Sequence, residues 1–240
     1  MDIKTESVKI KTADGTMPAH VARPPAEGRY PAVIVIMEAF GLNKHIKSVT
    51  ERIAGEGYVT LAPDLYYRFG SPTVPYADIG KAIEHLKQLD WNKVSAEVGA
   101  CISYLKGRSD VRADRIGITG FCMGGLVAFT AATAHPEDIK AAVSFYGGGI
   151  AADTTSAPIN RADRIKAPVL ALWGETDQMI PLEQVKRVEE TMRRLGKTFD
   201  SKVYPGAGHG FFCDERGSYH QASAKDAWTR MTEWFAKYLK

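Results

Sequence analysis

The chain has 240 residues, 45% apolar and 25% charged, with 31 Lys and Arg against 28 Asp and Glu. A chain of this length buries roughly 70% of its unfolded surface and needs neither disulfides nor a metal to build a core, and the composition excludes a disordered chain. The net charge of +3 is small and evenly spread; a nucleic-acid partner requires basic clusters interleaved with aromatics, so none is expected.

The N-terminus, MDIKTESVKIK, alternates charged and apolar residues and lacks the apolar core of a signal peptide. No stretch reaches the ~18 apolar residues of a membrane span, so no membrane partner is expected. The cysteines are Cys101, Cys122 and Cys213. A sparse, odd set suits a reducing compartment, and a cytoplasmic protein is expected, as a monomer or weak homodimer.

In chain order, SVKIKT and MPAHVARP flank Asp14-Gly15, a favoured tight-turn pair, and predict a β-hairpin. The unbroken apolar run PAVIVIM, residues 31–37, predicts a strand buried on both faces. KHIKSVTERIAGEG follows with helical spacing and a glycine stop, then YVTLAPD as a strand. Residues 70–90 open as a loop and pass into a helix near IGKAIEHLKQL; NKVSAEVGACISYLKG is a second helix. DRIGIT, IKAAVSFYGG, APVLALWG and DSKVYPG predict four further strands, and GGLVAFTAATA, LEQVKRVEETMRRLG and SAKDAWTRMTEWFAKYLK three further helices. Alternating strands and helices predict an α/β domain over residues 1–240, with a mostly parallel central sheet, an N-terminal antiparallel hairpin and helices on both faces.

Ligands of such sheets sit beyond the carboxyl ends of the strands. There the sequence places Cys122 in GFCMGG, Asp177 in GETDQMIP and His209 in PGAGHGFF. A thiol, a carboxylate and an imidazole at three strand ends, in that order, match a strand–turn–helix nucleophile elbow with its partners. Cys122 would attack an acyl carbon, His209 would act as general base and then acid, and Asp177 would hold the imidazole tautomer. The backbone N–H groups of Met123, at a helix N-terminus, and Ala39 would form an oxyanion hole. Taken singly, each residue reads as structural: a packed turn cysteine, a capping aspartate, a solvated loop histidine. Together they read as catalytic.

With MEAFGLN, APDLYYR, GFCMGG, WGETDQMIP and GAGHGFF along nearly the whole chain, the sequence resembles the dienelactone hydrolase family of α/β-hydrolases. The resemblance implies the α/β-hydrolase fold, a Cys122–His209–Asp177 triad, and a role for Glu38 in activating the cysteine when substrate binds. A resting neutral thiol is then expected, and a neighbouring carboxylate does disfavour a second negative charge. Glu38 reads alternatively as a cap of the next helix. The family enzyme grips a substrate carboxylate with two arginines, one in the segment after DLY and one four residues beyond the histidine. Here that second position is Cys213, and no arginine occurs from 70 to 91. Arg68 and Arg216 are the nearest candidates. The expected substrate is therefore a less charged small ester or lactone, with Phe40, Arg68, Tyr146 and Phe211 as candidate contacts.

HGFFC spaces His209 and Cys213 four apart, but no second ligand cluster appears and no metal is expected. The glycines of GITGFCMGG fit neither a phosphate loop nor a dinucleotide fingerprint, so no cofactor is expected either. A thioesterase or acyltransferase using the same three residues, and a non-catalytic binding protein of the same fold, are the alternative readings.

Overall fold

The alternating N-terminal segment forms its hairpin in the computed structural model, which describes residues 2–240. β1 (Lys4–Thr12) pairs antiparallel with β2 (Gly15–Arg23), from Lys4↔Arg23 to Thr12↔Gly15. The turn is Ala13–Asp14, one residue earlier than the Asp14-Gly15 pair suggests. Asp14 is claimed from outside the hairpin: its carboxylate accepts from Arg68 Nη2 at 2.7 Å, Lys93 Nζ at 2.9 Å and Tyr67 Oη at 3.2 Å. Most of β1 is exposed and it carries three lysines, the charge pattern that protects an edge strand from pairing with another chain.

The chain divides into two compact units, up to Gly117 and from Ile118. In the first, β3 (Tyr30–Ile36) is buried from Pro31 onward and pairs parallel with β4 (Val59–Pro63), buried throughout. β4 pairs antiparallel with β2, Ala19↔Pro63 to Ala22↔Thr60, so the hairpin joins the parallel strands through β4 rather than through its sequence neighbour β3. The crossover helix α1 (Lys44–Gly55) starts where the Asn43 side chain accepts from the Ile46 N–H, and it buries Ile46, Val49, Ile53 and Ala54 at helical spacing. Asp78 and Asp90 cap α2 (Ile79–Lys87) and α3 (Trp91–Lys106) in the same way.

β5 (Val111–Phe121) begins in the first unit and ends in the second. The second unit continues with α4 (Met123–Ala134), β6 (Ile139–Phe145), β7 (Val169–Gly174), α5 (Leu182–Arg194), β8 (Phe199–Tyr204) and α6 (Gln221–Leu239). β6, β7 and β8 run parallel in consecutive register. Nine residues of α4 are buried, as befits a helix apolar on nearly every side. α6 buries Ala224, Ala227, Met231, Phe235 and Leu239 on one stripe, with Trp228 and Trp234 at its margins. No helix among the described residues is long and apolar enough to cross a membrane.

Arg68 anchors the first unit. Its guanidinium bonds Asp14 on one side and Glu97 on the other; Glu97 is 1% exposed, and its Oε2 has no hydrogen-bond partner among the described residues. Burial pushes the Glu97 carboxyl up, and the bond from Arg68 opposes that rise. Removing the arginine strands a buried carboxylate, so Arg68→Met is expected to cost about 3 kcal/mol in urea unfolding at pH 7. The deficit should shrink as pH falls and Glu97 takes up a proton; a deficit independent of pH would refute this account.

Candidate active site

β5 runs into α4 through Cys122, whose backbone lies at φ 58° and ψ −118°. Positive φ is strained for a side chain with a Cβ and costs of order 1–3 kcal/mol, so it persists only where its surroundings enforce it. They do. The Cys122 N–H donates to the Phe145 carbonyl at the end of β6 (3.0 Å), and its own carbonyl accepts from Gly125 (2.9 Å) and Leu126 (3.3 Å). A Cβ at Gly120 would stand 2.1 Å from the Gly124 oxygen, and one at Gly125 would stand 2.5 Å from the Phe145 oxygen. Both are closer than real contacts allow, so glycine at these places is what lets strand, turn and helix meet. The buried Ser144 hydroxyl adds a bond to the Gly125 carbonyl at 2.9 Å.

The loops after β7 and β8 are joined by backbone. Glu175 and Thr176 N–H groups donate to the Tyr204 and Ala207 carbonyls at 3.0 and 2.9 Å, and Glu175 Oε2 accepts from Gly206 N–H at 2.9 Å. A Cβ at Gly174 would stand 2.5 Å from the Ala207 oxygen, so the close approach again needs glycine. Across this seam Asp177 Oδ2 meets His209 Nδ1 at 2.8 Å, while Asp177 Oδ1 accepts the Met179 N–H at 2.8 Å. With both oxygens engaged, the carboxylate has one orientation.

His209 is 11% exposed at its side chain and Asp177 1%. Burial alone lowers the imidazole pKa, but the hydrogen bond to Asp177 and the neighbouring Cys122 sulfur outweigh it and push it up to about 10. The buried Nε2 has no partner of hydrogen-bond geometry among the described residues. Cys122 is partly accessible, and its side chain is among the groups that raise the His209 pKa. Tyr146, wholly buried, sets its ring 5.2 Å from the His209 ring and 5.3 Å from Phe211, edge-on to both.

Of the sequence-predicted residues, Cys122, Met123, Tyr146, Asp177, His209 and Phe211 lie in the second unit. Met123 is the first residue of α4. Phe211 is buried against Tyr146 and Tyr204. Glu38, Ala39 and Phe40 follow β3 in the first unit, and all three are buried. Ala39 accepts a hydrogen bond from the Tyr66 hydroxyl at 2.9 Å, and Phe40 packs on Tyr76 at 4.6 Å. Arg68 is committed to Asp14 and Glu97.

Ser144 escapes a reading of the sequence, whereas Arg216 is among its candidates. Ser144 looks like any strand serine until the Gly125 carbonyl is seen beside it. Arg216 is seven residues past the histidine, yet its guanidinium lies on Gly210; a Cβ there would stand 2.3 Å from Nη1. Gly210 itself has φ 78°, and the glycine directly after the histidine was the available signal.

Because the folded His209 pKa lies above the ordinary 6.5, its contribution to stability is full below pH 6.5 and is lost as pH rises toward 10. Denaturant unfolding across that window should show the native chain losing stability relative to His209→Gln. Parallel curves would contradict the charged pairing.

A model of the dienelactone hydrolase family matches residues 17–239. A Methylorubrum extorquens protein assigned as a carboxymethylenebutenolidase is 40% identical over 96% of this chain and 80% of its own length. A Synechocystis protein with the same assignment is 38% identical over 100% of this chain and 99% of its own. The crystal structure of a Klebsiella pneumoniae protein assigned as a dienelactone hydrolase superposes with a TM-score of 0.91 at 37% identity, covering 99% of this chain and all of that one. The fold is the α/β-hydrolase fold that the sequence predicts, a mostly parallel sheet with an N-terminal antiparallel hairpin and helices on both faces. The chain belongs to the dienelactone hydrolase family and is a carboxymethylenebutenolidase-like hydrolase of esters and lactones.

Proposed function

We propose that this hydrolase works through a covalent thioester on Cys122. The observation that carries the reading is the Asp177–His209 bond beside a cysteine held at positive φ. The Cys122 sulfur attacks the acyl carbon, and its proton resides on His209 Nε2. The carbonyl oxygen becomes an oxyanion that accepts from the Met123 N–H at the start of α4. Collapse breaks the acyl C–O bond, and His209 gives its proton to the departing alkoxide. Water then attacks the thioester carbon with His209 as base, releasing the acid and restoring the thiol. Asp177 fixes the imidazole tautomer and stabilises the imidazolium throughout.

The proposed substrate is a small neutral ester or lactone. Arg68 is held by Asp14 and Glu97, and Arg216 brings one guanidinium to the His209 loop rather than the pair that would clamp a carboxylate. Cysteines that form no disulfide suit the cytoplasm.

Cys122→Ala is expected to abolish turnover of a chromogenic short-chain ester, and mass spectrometry of the native enzyme under rapid quench should find the acyl group on Cys122. Unchanged turnover in the variant would sink the mechanism. Asp177→Asn should lower kcat by about 10³-fold or more. An acyl acceptor that outcompetes water at modest concentration would reassign the chain as an acyltransferase. Neutral substrates should exceed their carboxylate-bearing analogues in kcat/KM; the reverse order, abolished by Arg216→Gln, would overturn the substrate assignment.

A further inference from the structure

Cys122, Ser71 and Tyr146 are the non-glycine residues at positive φ among those described. Cys122 has its reason in the elbow. Tyr146, at φ 36°, closes β6 one residue past the Phe145 carbonyl that binds the Cys122 N–H. Its own N–H donates to Leu172 of β7 at 2.8 Å. The backbone at Tyr146 is therefore fixed from two directions, toward the elbow through Phe145 and toward the strand that leads to Asp177. A bulky residue held in this conformation is enforced by its surroundings.

The ring shows what the conformation achieves. It is wholly buried and edge-on to the His209 imidazole at 5.2 Å and to Phe211 at 5.3 Å. Phe211 in turn packs on Tyr204 at 5.0 Å, and the Tyr204 hydroxyl donates to Asp226 at 2.9 Å. Among the described residues the one side chain within hydrogen-bond geometry of the His209 ring is Asp177, at Nδ1. A single bond fixes the distance but leaves the ring plane free to swing about the bond axis. Nε2 must nevertheless point at the Cys122 sulfur for proton transfer, and small misplacements of a reacting group cost large factors in rate.

We infer that Tyr146 is a positioning residue: its ring sets the plane of the His209 imidazole, and its strained backbone ties that plane to the elbow that carries Cys122. This rests on the thioester reading above. The groups that raise the imidazole pKa against its burial are the Asp177 and Cys122 side chains; Tyr146 acts by holding the ring in reach of both.

The test uses three variants of the full chain. Tyr146→Phe retains the ring and should keep kcat within about threefold. Tyr146→Leu retains bulk without the ring and should lower kcat by about 10–100-fold with KM little changed. Tyr146→Gly relieves the positive φ, so it keeps the experiment open if the leucine variant does not fold, and it should show the same kcat loss. Carbon-13 NMR titration of His209 gives a readout that requires no turnover: its pKa should move down from about 10 toward 6.5 in the leucine and glycine variants. Unchanged kcat and His209 titration in a folded Leu or Gly variant would overturn the inference, as would an effect confined to KM, which would make Tyr146 a wall of the substrate pocket. Should Cys122→Ala keep its activity, the thioester reading fails instead, and the His209 titration still reports whether Tyr146 sets the ring.

Discussion

The approach of the Phe145 carbonyl to the Cys122 N–H is the constraint on which the candidate site depends. It requires α4 and β6 to come nearer than helix and strand normally do, and Gly125 and Gly147 make that possible: a Cβ on Gly125 would collide with the Phe145 oxygen, and one on Gly147 with the Gly125 backbone. α4 is apolar on nearly every side, so burial alone would not choose its rotation. The contacts at the glycines choose it, and with it the direction in which Cys122 leaves the backbone. Strain at one residue is held in place by close packing at its neighbours, which is how a local conformation costing of order 1–3 kcal/mol survives in a folded chain.

The same logic recurs between the Asp177 and His209 loops. Main-chain hydrogen bonds join them, and Gly174 removes the side chain that would hold them apart. The carboxylate–imidazole bond is then a consequence of loops already in register. It is not left to draw two mobile loops together, which would charge its formation with their conformational entropy.

Much of this was legible in the residues. The apolar runs marked β3, β4 and β7 because strands buried on both faces cannot afford polar alternation. Cys122, Asp177 and His209 were legible because each falls at a strand end, where topology rather than local propensity decides what meets. What escaped depended on partners distant in sequence. The hairpin turn is one residue earlier than its sequence suggests, and its Asp14 is bound by Arg68, Tyr67 and Lys93, none of which belongs to the hairpin. Arg68 looked available from its place after DLY, but Glu97, 29 residues on and buried, engages it. The positive φ of Tyr146 was not legible, because a sequence does not display φ. The strand order was not legible either: β2 pairs with β4, which β3 and α1 separate from it in the chain, and nothing local in either segment marks the pairing.

Cys122 occupies the N-cap position of α4, yet no side-chain cap hydrogen bond forms there. Serine, threonine, aspartate and asparagine are favoured at that position because they close the first turn on themselves, typically for about 1 kcal/mol. At positive φ the Cys122 side chain is turned away from that duty, and a thiol is a weak acceptor in any case. The residue that starts α4 thus supplies no side-chain cap of its own. In the proposed mechanism the oxyanion on the Met123 N–H would stand where a capping oxygen stands in other helices, so that helix termination and turnover would become one event.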